Sequence, residues 1–420
     1  MSEAHPTMSG ARVSPAQAVE QIQRGSTVFL EQGACEPTLL HQALLAGSCE
    51  AQIVAAPVNG LNRCGFGQAQ FTPRLNPIVF VSAPELADAI HSGQVSYLPL
   101  HWSEVMGAIR ARFRPDVALI QVSPPDENGY CSLGGNAAFE LEVAELARMV
   151  IAEVNPNVPR VSGDTALHES RIAYWVESDE PLRAMPPSAW GPVESEIASH
   201  VDSLIPDRCT LQIGPGKVPD AVLDRLSRAG KHVRFHSGIL TDAMLRVAEA
   251  QTSHRDDIAV AGMLLGSAQL YRAVDRNPRV SLRNTAHTHS LAVMAAIDRF
   301  ISINSAIEVD LMGQVNAESV KGRQVSGVGG QVDFFRGAQA SNGGLAILAM
   351  PSSTSSRSRI VPGFAAGTPV STSRVDLDYI VTEYGVAAMR NRTEGERAQA
   401  LIAVAAPKYR DELRSALARH

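Results

Sequence analysis

Two glutamates stand where a charged side chain is unexpected. Glu308 follows the apolar run ISINSAI, and Glu383 follows the strand-like run YIVT. A carboxylate in such a position can act as a base, as a nucleophile or as a binder of a polar substrate group. Either one could instead accept hydrogen bonds from nearby backbone N–H groups, which is a structural role. The residue types alone leave both interpretations open.

Three glycines fall within four consecutive positions of SGVGGQ, at Gly327, Gly329 and Gly330. Without side chains, the backbone N–H groups of such a loop can approach an anion or a large cofactor closely. The cluster could also be a tight turn or a bulge between strands. A high density of polar residues around it favours a ligand site, because buried polar groups need partners. These residues are Asn304, Glu308, Asp310, Gln314, Gln331 and Asp333.

A second glycine loop, Gly214–Gly216, joins the predicted strand CTLQI to the predicted helix KVPDAVLDRL. This layout presents backbone N–H groups to a phosphate or an oxyanion. Pro215 removes one of those donors. The sequence has neither a Gly-x-Gly-x-x-Gly fingerprint nor a Walker frame at this point, so a nucleotide-binding loop is not indicated.

The histidines give weaker signals. His287 and His289 alternate in AHTHS, and His236 follows a predicted strand in FHSG. The alternating pair could bind a metal, but the sequence places no third ligand beside it. A Gly-x-Ser-x-Gly turn after a strand is also absent, so a serine nucleophile is not indicated.

Composition limits the class of protein. The chain has 420 residues, of which 45% are hydrophobic and 19% charged, and its net charge is −6. That size allows two or three domains, and the mild acidity gives no reason to expect nucleic acid or a membrane surface as a partner. No apolar stretch reaches the roughly 18–20 residues of a membrane span, and the N-terminus lacks a signal-peptide pattern. Five scattered cysteines indicate neither disulfides nor zinc, so we expect a cytoplasmic protein.

Strands and helices alternate along both halves of the chain. Apolar runs such as QIVAAP and DVALIQV alternate with helical stretches such as PTLLHQALLAG. This pattern predicts parallel sheets covered by helices. A Pro-rich linker at about 185–192 predicts the domain boundary, and the helix WGPVESEIASHVDSLI would open the second domain.

Four further segments are predicted from local signals. SPAQAVEQIQRG predicts a helix capped by Ser14, and residues 1–10 are expected to be a disordered leader. RFISINSAIEVDL predicts one half-buried strand in which alternate residues from Ile301 to Val309 share a face. GERAQALIAVAAPKYRDELRSALAR predicts a single closing helix.

Several of these segments together resemble the acetyl-CoA hydrolase/CoA-transferase family, which includes the 4-hydroxybutyrate and acetate CoA-transferases. The resemblance covers nearly the whole chain and is carried in order by SPPDENGYCSLGG, VNPNVPRVSGD, GPGKVPDAVL, INSAIEVDLMGQV, SGVGGQVDFFRGA, MPSSTSSRSRIVPG, VTEYGVA and ALIAVAAPKYRDEL. It implies an α/β fold of two NagB/RpiA-like parallel-sheet domains, residues 1–190 and 191–420. The acyl-CoA would bind in the cleft between them, mainly on the second domain.

The resemblance also implies a ping-pong transfer of CoA between an acyl-CoA and a short carboxylic acid, or hydrolysis of the thioester. Coenzyme A would be a substrate, with no metal or flavin, and the protein would be a homodimer or a larger homo-oligomer. Gly214 and Gly216, with Asn304, would stabilise the thioester oxygen, where each donor is worth about 3–4 kcal/mol. The CoA chain would be held by Gly327, Gly329, Gly330 and Gln331, with Asn304 and Glu308 at the reacting end.

One position departs from the family pattern. The family's nucleophilic glutamate stands in a His-Ser/Thr-Glu triplet, and here the triplet is His236-Ser237-Gly238. Glycine has no side chain, so a covalent step cannot run from position 238.

Three interpretations follow from this glycine. The protein could be a variant enzyme that activates water or the incoming carboxylate directly, with Glu383 or Glu308 assisting. It could be a CoA-binding homologue without turnover, in a regulatory or partner-subunit role. A different carboxylate could also replace the nucleophile. A sugar-phosphate isomerase on the same α/β design is the alternative from another class, and the lack of a basic phosphate cluster argues against it.

Overall fold

The computed structural model describes residues 10–251 and 259–418. All but the last residue of the expected leader lies outside this part of the chain, as do the first residues of the predicted strand DDIAVAGML. The described residues form two compact units. Unit 1 takes the chain as far as Pro186 together with Val260–Thr285, and unit 2 takes Pro187–Ala259 and Ala286–His420 where they are described. A binding cleft between two domains stays a prediction.

The elements as far as Pro186 alternate between strands and helices. The strands are β1 (Ala11–Arg12), β2 (Ser26–Leu30), β3 (Ala51–Ala55), β4 (Ile78–Val79), β5 (Ser96–Tyr97), β6 (Val117–Val122), β7 (Tyr130–Ser132), β8 (Met149–Val154), β9 (Ser162–Gly163), β10 (Ala166–His168) and β11 (Ile172–Glu177). The helices are α1 (Pro15–Glu20), α2 (Thr38–Ala46), α3 (Thr72–Leu75), α4 (Ala87–His91), α5 (Val105–Ala108) and α6 (Glu140–Leu146).

The same alternation continues after Pro186. The helices are α7 (Pro192–Leu204), α8 (Lys217–Arg228), α9 (Asp242–Ala250), α10 (Ala268–Val274), α11 (Thr285–Thr288), α12 (Leu291–Ala295), α13 (Gln331–Ala340), α14 (Glu394–Val404) and α15 (Arg410–Leu417). The strands are β12 (Cys209–Ile213), β13 (Val233–Leu240), β14 (Ala259–Leu264), β15 (Val280–Leu282), β16 (Phe300–Asn304), β17 (Glu308–Asp310), β18 (Val315–Asn316), β19 (Ser319–Val320), β20 (Arg323–Gln324), β21 (Leu345–Ala349), β22 (Ile360–Val361), β23 (Tyr379–Thr382) and β24 (Gly385–Ala388).

Unit 1 is built on a parallel sheet with the strand order β1-β11-β8-β6-β2-β3-β4-β5. Its central strand β6 is buried along its whole length, as expected for a parallel strand that is covered on both faces. β7 and β10 form a separate antiparallel pair, and β9 pairs with β15. The segment PPDENGYCSLGG, predicted as an irregular loop, contains the short strand β7. The turn-forming residues around this strand favour a loop in the sequence.

Unit 2 contains the strand order β24-β23-β21-β16-β12-β13, in which only the edge pair β23–β24 is antiparallel among these strands. A small sheet of β18, β17 and β22 follows the end of β16 in the chain. The parallel sheets of both units confirm the predicted α/β class. None of the described helices is long and apolar enough to cross a membrane.

Local signals place several elements correctly. Ser14 caps α1 through a capping box: its Oγ accepts from Gln17 N at 3.3 Å, and the Gln17 side chain accepts from Ser14 N at 2.9 Å. This satisfies helix-start N–H groups that would otherwise have no partner. α7 forms where the sequence predicts the first helix of the second half, with Pro192 at its first position.

Two predicted elements are wrong in extent. The single strand predicted at RFISINSAIEVDL is two strands, because β16 ends at Asn304 and β17 belongs to the small sheet. Its first part is buried on both faces, rather than half-buried. The single closing helix is two helices, α14 and α15, separated at Pro407, whose ring cannot continue an α-helix.

Candidate active site

Gly214 and Gly238 lie near the carboxyl ends of two neighbouring strands, β12 and β13. Gly214 follows the last residue of β12, and Ser237 Oγ on β13 donates to Ile213 O at 3.1 Å. The strands are parallel, so the carboxyl end of β12 and position 238 lie close together. The carboxyl edge of a parallel sheet is where α/β proteins place their ligands.

Gly238 lies against the imidazole of His289. A Cβ placed on Gly238 would lie 3.2 Å from His289 Cε1 and 3.3 Å from its Nε2. Gly330 borders the same ring, since its Cβ would lie 2.5 Å from Nε2. The structure therefore brings together Gly238, the predicted CoA loop and one of the histidines.

The environment of His289 keeps its ring neutral. The side chain is buried, and the ring packs on Phe334 with 4.5 Å between centroids. Its Nδ1 lies 2.9 Å from Thr288 Oγ1. Burial, reinforced by His236, lowers the pKa of His289 to about 3.

His236 is neutral for a similar reason. Burial lowers its pKa to about 4, although its hydrogen bond to a backbone oxygen opposes the shift. That bond joins His236 Nε2 to Thr288 O at 2.9 Å. Because a carbonyl oxygen only accepts, Nε2 carries the proton.

The two glycine loops each lead into a helix. Gly216 precedes α8 with φ of +128°, a conformation open to glycine and strained for other residues. A Cβ on Gly214 would meet nothing within 4 Å, so there is open space beside this residue. Gly329 has φ of +62° and also borders open space, and Gly330 directly precedes α13. The second loop is therefore the entry to a helix, rather than a turn between strands.

The predicted side-chain ligands of these loops already have partners. Gln331 donates from Nε2 to Thr372 Oγ1 at 2.9 Å. Asn304, at the end of β16, donates from Nδ2 to Gln212 Oε1 at 2.8 Å and to Ser302 Oγ at 3.0 Å. Gln212 and Ser302 thus hold Asn304 in place, a contact that was not predicted from the sequence. Their signal is a polar residue inside an apolar strand, as in CTLQI.

Glu308 and Glu383 bind two residues of one polar loop, 352–359. Glu383 accepts from Ser352 N at 2.8 Å and from Ser352 Oγ at 2.6 Å. Glu308 pairs with Arg357 at 3.2 Å and accepts from Asn316 Nδ2 at 3.0 Å. This geometry corresponds to the structural interpretation of the two carboxylates, in which they hold backbone and loop groups.

Metal-ligating residues do not cluster in the described residues. Within that part of the chain there is no group of three or more His, Cys, Asp or Glu side chains that could hold a metal ion. His236 and His287 approach each other, with 5.6 Å between ring centroids. The free cysteines are separate and mostly buried.

Comparison with known proteins identifies the family. The N-terminal and C-terminal domains of the acetyl-CoA hydrolase/transferase family match residues 11–186 and 266–417. A 4-hydroxybutyrate coenzyme A transferase of Clostridium kluyveri is 44% identical over 336 residues, which is 78% of each chain. The structure of RipA from Yersinia pestis has a TM-score of 0.90 at 28% identity, over 97% of each chain.

A second solved structure agrees with this assignment. The 4-hydroxybutyrate CoA-transferase of Porphyromonas gingivalis has a TM-score of 0.77 at 33% identity and again covers 97% of each chain. The family resemblance inferred from the ordered motifs is confirmed: this chain belongs to the acetyl-CoA hydrolase/transferase family.

Proposed function

We propose that the protein transfers coenzyme A from an acyl-CoA to a short carboxylic acid, without a covalent intermediate at position 238. Relatives named for this chemistry include the 4-hydroxybutyrate transferase and a butyryl-CoA:acetate CoA-transferase. Others are named acetyl-CoA hydrolase, so thioester hydrolysis is the neighbouring activity. Acyl-CoA and a short carboxylate are then the two substrates.

The observation that carries the mechanism is the contact between Gly238 and His289. Position 238 has no carboxylate, and the imidazole lies next to the space where one would begin. The acceptor acid brings a carboxylate of its own, which can take over the attack. The proposed reaction therefore passes through both substrates bound together.

The proposed steps balance without a further reactant. An acceptor carboxylate oxygen attacks the thioester carbonyl carbon, the C–S bond breaks, and CoA leaves as a thiolate. The product of this step is a mixed anhydride of the two acids. The thiolate then attacks the acceptor's carbonyl carbon, the C–O bond breaks, and the donor acid leaves as a carboxylate.

The glycine loops would supply stabilisation and binding. A Cβ on Gly214 would meet nothing within 4 Å, and we assign the backbone N–H groups of Gly214 and Gly216, before α8, to the oxyanion that forms at the thioester carbon. Asn304 would join them by exchanging one of its present hydrogen bonds. The loop from Gly327 to Gln331, at the start of α13, would hold the CoA chain.

Glu308 and Glu383 receive a supporting role in this proposal. Their hydrogen bonds hold Ser352 and Arg357, two residues of the polar loop 352–359. Both oxygens of Glu383 accept from Ser352, which supports a structural role for this carboxylate over an attack on a substrate. Peptide mapping after acyl-CoA exposure would reveal a covalent adduct on either glutamate and so restore the interpretation in which another carboxylate is the nucleophile.

The test is a pair of measurements on the purified protein. Acetyl-, propionyl- and butyryl-CoA are each mixed with the protein, with and without acetate, and free thiol and acyl exchange are followed. Acceptor-dependent exchange without free thiol supports transfer, and thiol release without acceptor supports hydrolysis. CoA binding without either would support the alternative of a homologue without turnover.

Initial rates distinguish direct attack from ping-pong transfer. Direct attack requires a ternary complex, so reciprocal plots at several acetate concentrations intersect. A ping-pong enzyme gives parallel lines, and borohydride reduction would then trap a modified carboxylate. Parallel lines together with such an adduct would overturn the proposed mechanism.

A further inference from the structure

We propose that His289 is a catalytic residue that binds the acceptor's carboxylate through Nε2, where the family has a nucleophilic side chain. This inference rests on the proposed function and adds the residue that holds the attacking group. Direct attack needs a donor for the acceptor, because a small carboxylate in a site without one would lose its hydration uncompensated.

The position of Nε2 is the first argument. The atom lies between two glycines that belong to different parts of the predicted site, Gly238 on β13 and Gly330 before α13. Neither glycine has a side chain to separate the imidazole from a ligand at this edge. A side chain at either position would compete with the ring for the same space.

The other face of the ring is the second argument. Nδ1 lies 2.9 Å from Thr288 Oγ1, and a hydroxyl that donates to Nδ1 leaves the proton on Nε2. In that tautomer the ring atom that lies beside Gly238 and Gly330 is a hydrogen-bond donor. We assign the Thr288 hydroxyl as the donor in this pair, which makes Thr288 a positioning residue that selects the form of the imidazole able to donate to a carboxylate.

Charge and packing are the third argument. Burial keeps the imidazole neutral. A neutral donor can hold the acceptor's carboxylate without forming an ion pair, which would weaken the nucleophilicity of that carboxylate. The contact with Phe334 and the neighbouring Gly330 fix the plane of the ring. A fixed donor orients the acceptor and lowers the entropy cost of bringing two substrates together.

The experiment compares four proteins: wild type, His289→Gln, His289→Ala and Thr288→Val, with Thr288→Ser as the matched control. Gln places an amide N–H near the position of Nε2, and Ala removes the donor. We expect the Ala variant to raise the KM for acetate at least tenfold while the Kd for CoA stays within twofold. The His289→Gln variant should lose much less than the Ala variant. Thr288→Val should raise the KM for acetate, whereas Thr288→Ser should stay near wild type.

A binding measurement separates this inference from the proposed function. Calorimetric titration of the CoA-saturated protein with acetate needs no turnover, and thermal melts identify variants that fail to fold. Weaker acetate binding in the Ala variant, with recovery in the Gln variant, supports the role of His289 even if no exchange is detected. Equal acetate affinity in wild type and the Ala variant overturns it, whereas transfer by the wild type would leave the proposed function standing.

The tautomer gives a spectroscopic readout. The ¹⁵N chemical shifts of the imidazole distinguish a protonated from an unprotonated ring nitrogen, and the signals are assigned by comparison with the His289→Gln variant. We expect Nε2 to carry the proton in wild type and the two tautomers to mix in Thr288→Val. A proton on Nδ1 in the wild-type protein would overturn the proposed contact with a carboxylate.

Discussion

The Nε2 atom of His289 lies 3.3 Å from the point that a Cβ on Gly238 would occupy. That separation is shorter than ordinary van der Waals contact, so a side chain at 238 and the imidazole at 289 compete for one space. The missing carboxylate is thus part of a local arrangement of two residues, since the ring borders the space that the glycine leaves. Restoring the carboxylate alone would not restore its surroundings.

The first prediction concerns that restoration. Gly238→Glu in the wild-type background should form little covalent adduct with acyl-CoA, because the imidazole crowds the new side chain. Gly238→Glu combined with His289→Ala should form more, because the ring is gone. Borohydride reduction followed by peptide mass mapping measures the modified fraction of residue 238.

The control for this prediction is the His289→Ala protein, which has no carboxylate at 238 and should show no adduct there. Equal adduct in Gly238→Glu with and without the second substitution would show that the imidazole does not limit the site. Parallel reciprocal plots should accompany the adduct only in the double variant.

The second prediction concerns Gly330. Its φ of −94° suits any residue, so Gly330→Ala tests crowding and not backbone strain. The new Cβ would lie 2.5 Å from His289 Nε2, and such overpacking costs about 1–3 kcal/mol in the free energy of unfolding. The same substitution in a His289→Ala background should cost clearly less, because the imidazole that clashes with the new Cβ is absent. The double-mutant cycle measures this difference as a coupling energy.

Denaturant unfolding of the four proteins of that cycle measures the coupling. Gly395→Ala is the matched control, because a Cβ at this helical position would meet nothing within 4 Å and should be neutral or stabilising. An equal cost of Gly330→Ala in both backgrounds contradicts the predicted contact.

The third prediction concerns the polar loop held by Glu383. Removing this carboxylate by Glu383→Ala leaves the N–H and hydroxyl of Ser352 without their acceptor. Because Ser352 is fully buried, the loss should be about 2–3 kcal/mol in the free energy of unfolding. Glu383→Gln keeps one acceptor oxygen and should lose less.

Limited proteolysis checks whether the loss is local. We expect faster cleavage within residues 352–359 in the Ala variant, and unchanged cleavage in Glu249→Ala, an exposed glutamate on α9. An Ala variant with wild-type stability would show that Ser352 finds another acceptor and that Glu383 is free for a different role.

Sequence predicts what is local and periodic in this protein. The alternation of apolar runs and helices gives the parallel α/β class, and Ser14 and Pro192 mark the starts of their helices. Periodicity does not predict that the strand ends at Asn304 and that a second strand begins at Glu308. The second strand, β17, forms because it pairs with β22, for example Val309 with Ile360. Periodicity cannot report a partner that lies some 50 residues away.

The same limit applies to the site. The glycine loops are visible in the sequence because glycine itself is the signal. The contacts of Asn304 with Gln212 and of Gly238 with His289 join residues from different strands and loops. From the sequence, His289 in AHTHS is a candidate metal ligand. The structure shows that its ring lies beside Gly238.

The last prediction concerns pH and His236. Its folded-state pKa is lowered to about 4, whereas in the unfolded chain an imidazole titrates near 6.5. Between these values the unfolded state binds more protons, so the stability that neutral His236 contributes is present above about pH 6.5 and is lost as pH falls toward 4. His236→Asn should therefore lose less stability than wild type between pH 7 and pH 5, as measured by urea unfolding.

Comparing His236→Asn with wild type separates the pH-dependent stability due to His236 from that due to other buried titratable groups. Burial raises the pKa of Glu140 to about 7, which favours the folded state as pH falls, but this carboxyl is common to wild type and variant. His91→Asn, at an exposed position on α4, serves as the control and should follow wild type. If His236→Asn and wild type lose equal stability over this range, the imidazole of His236 is not held neutral by burial.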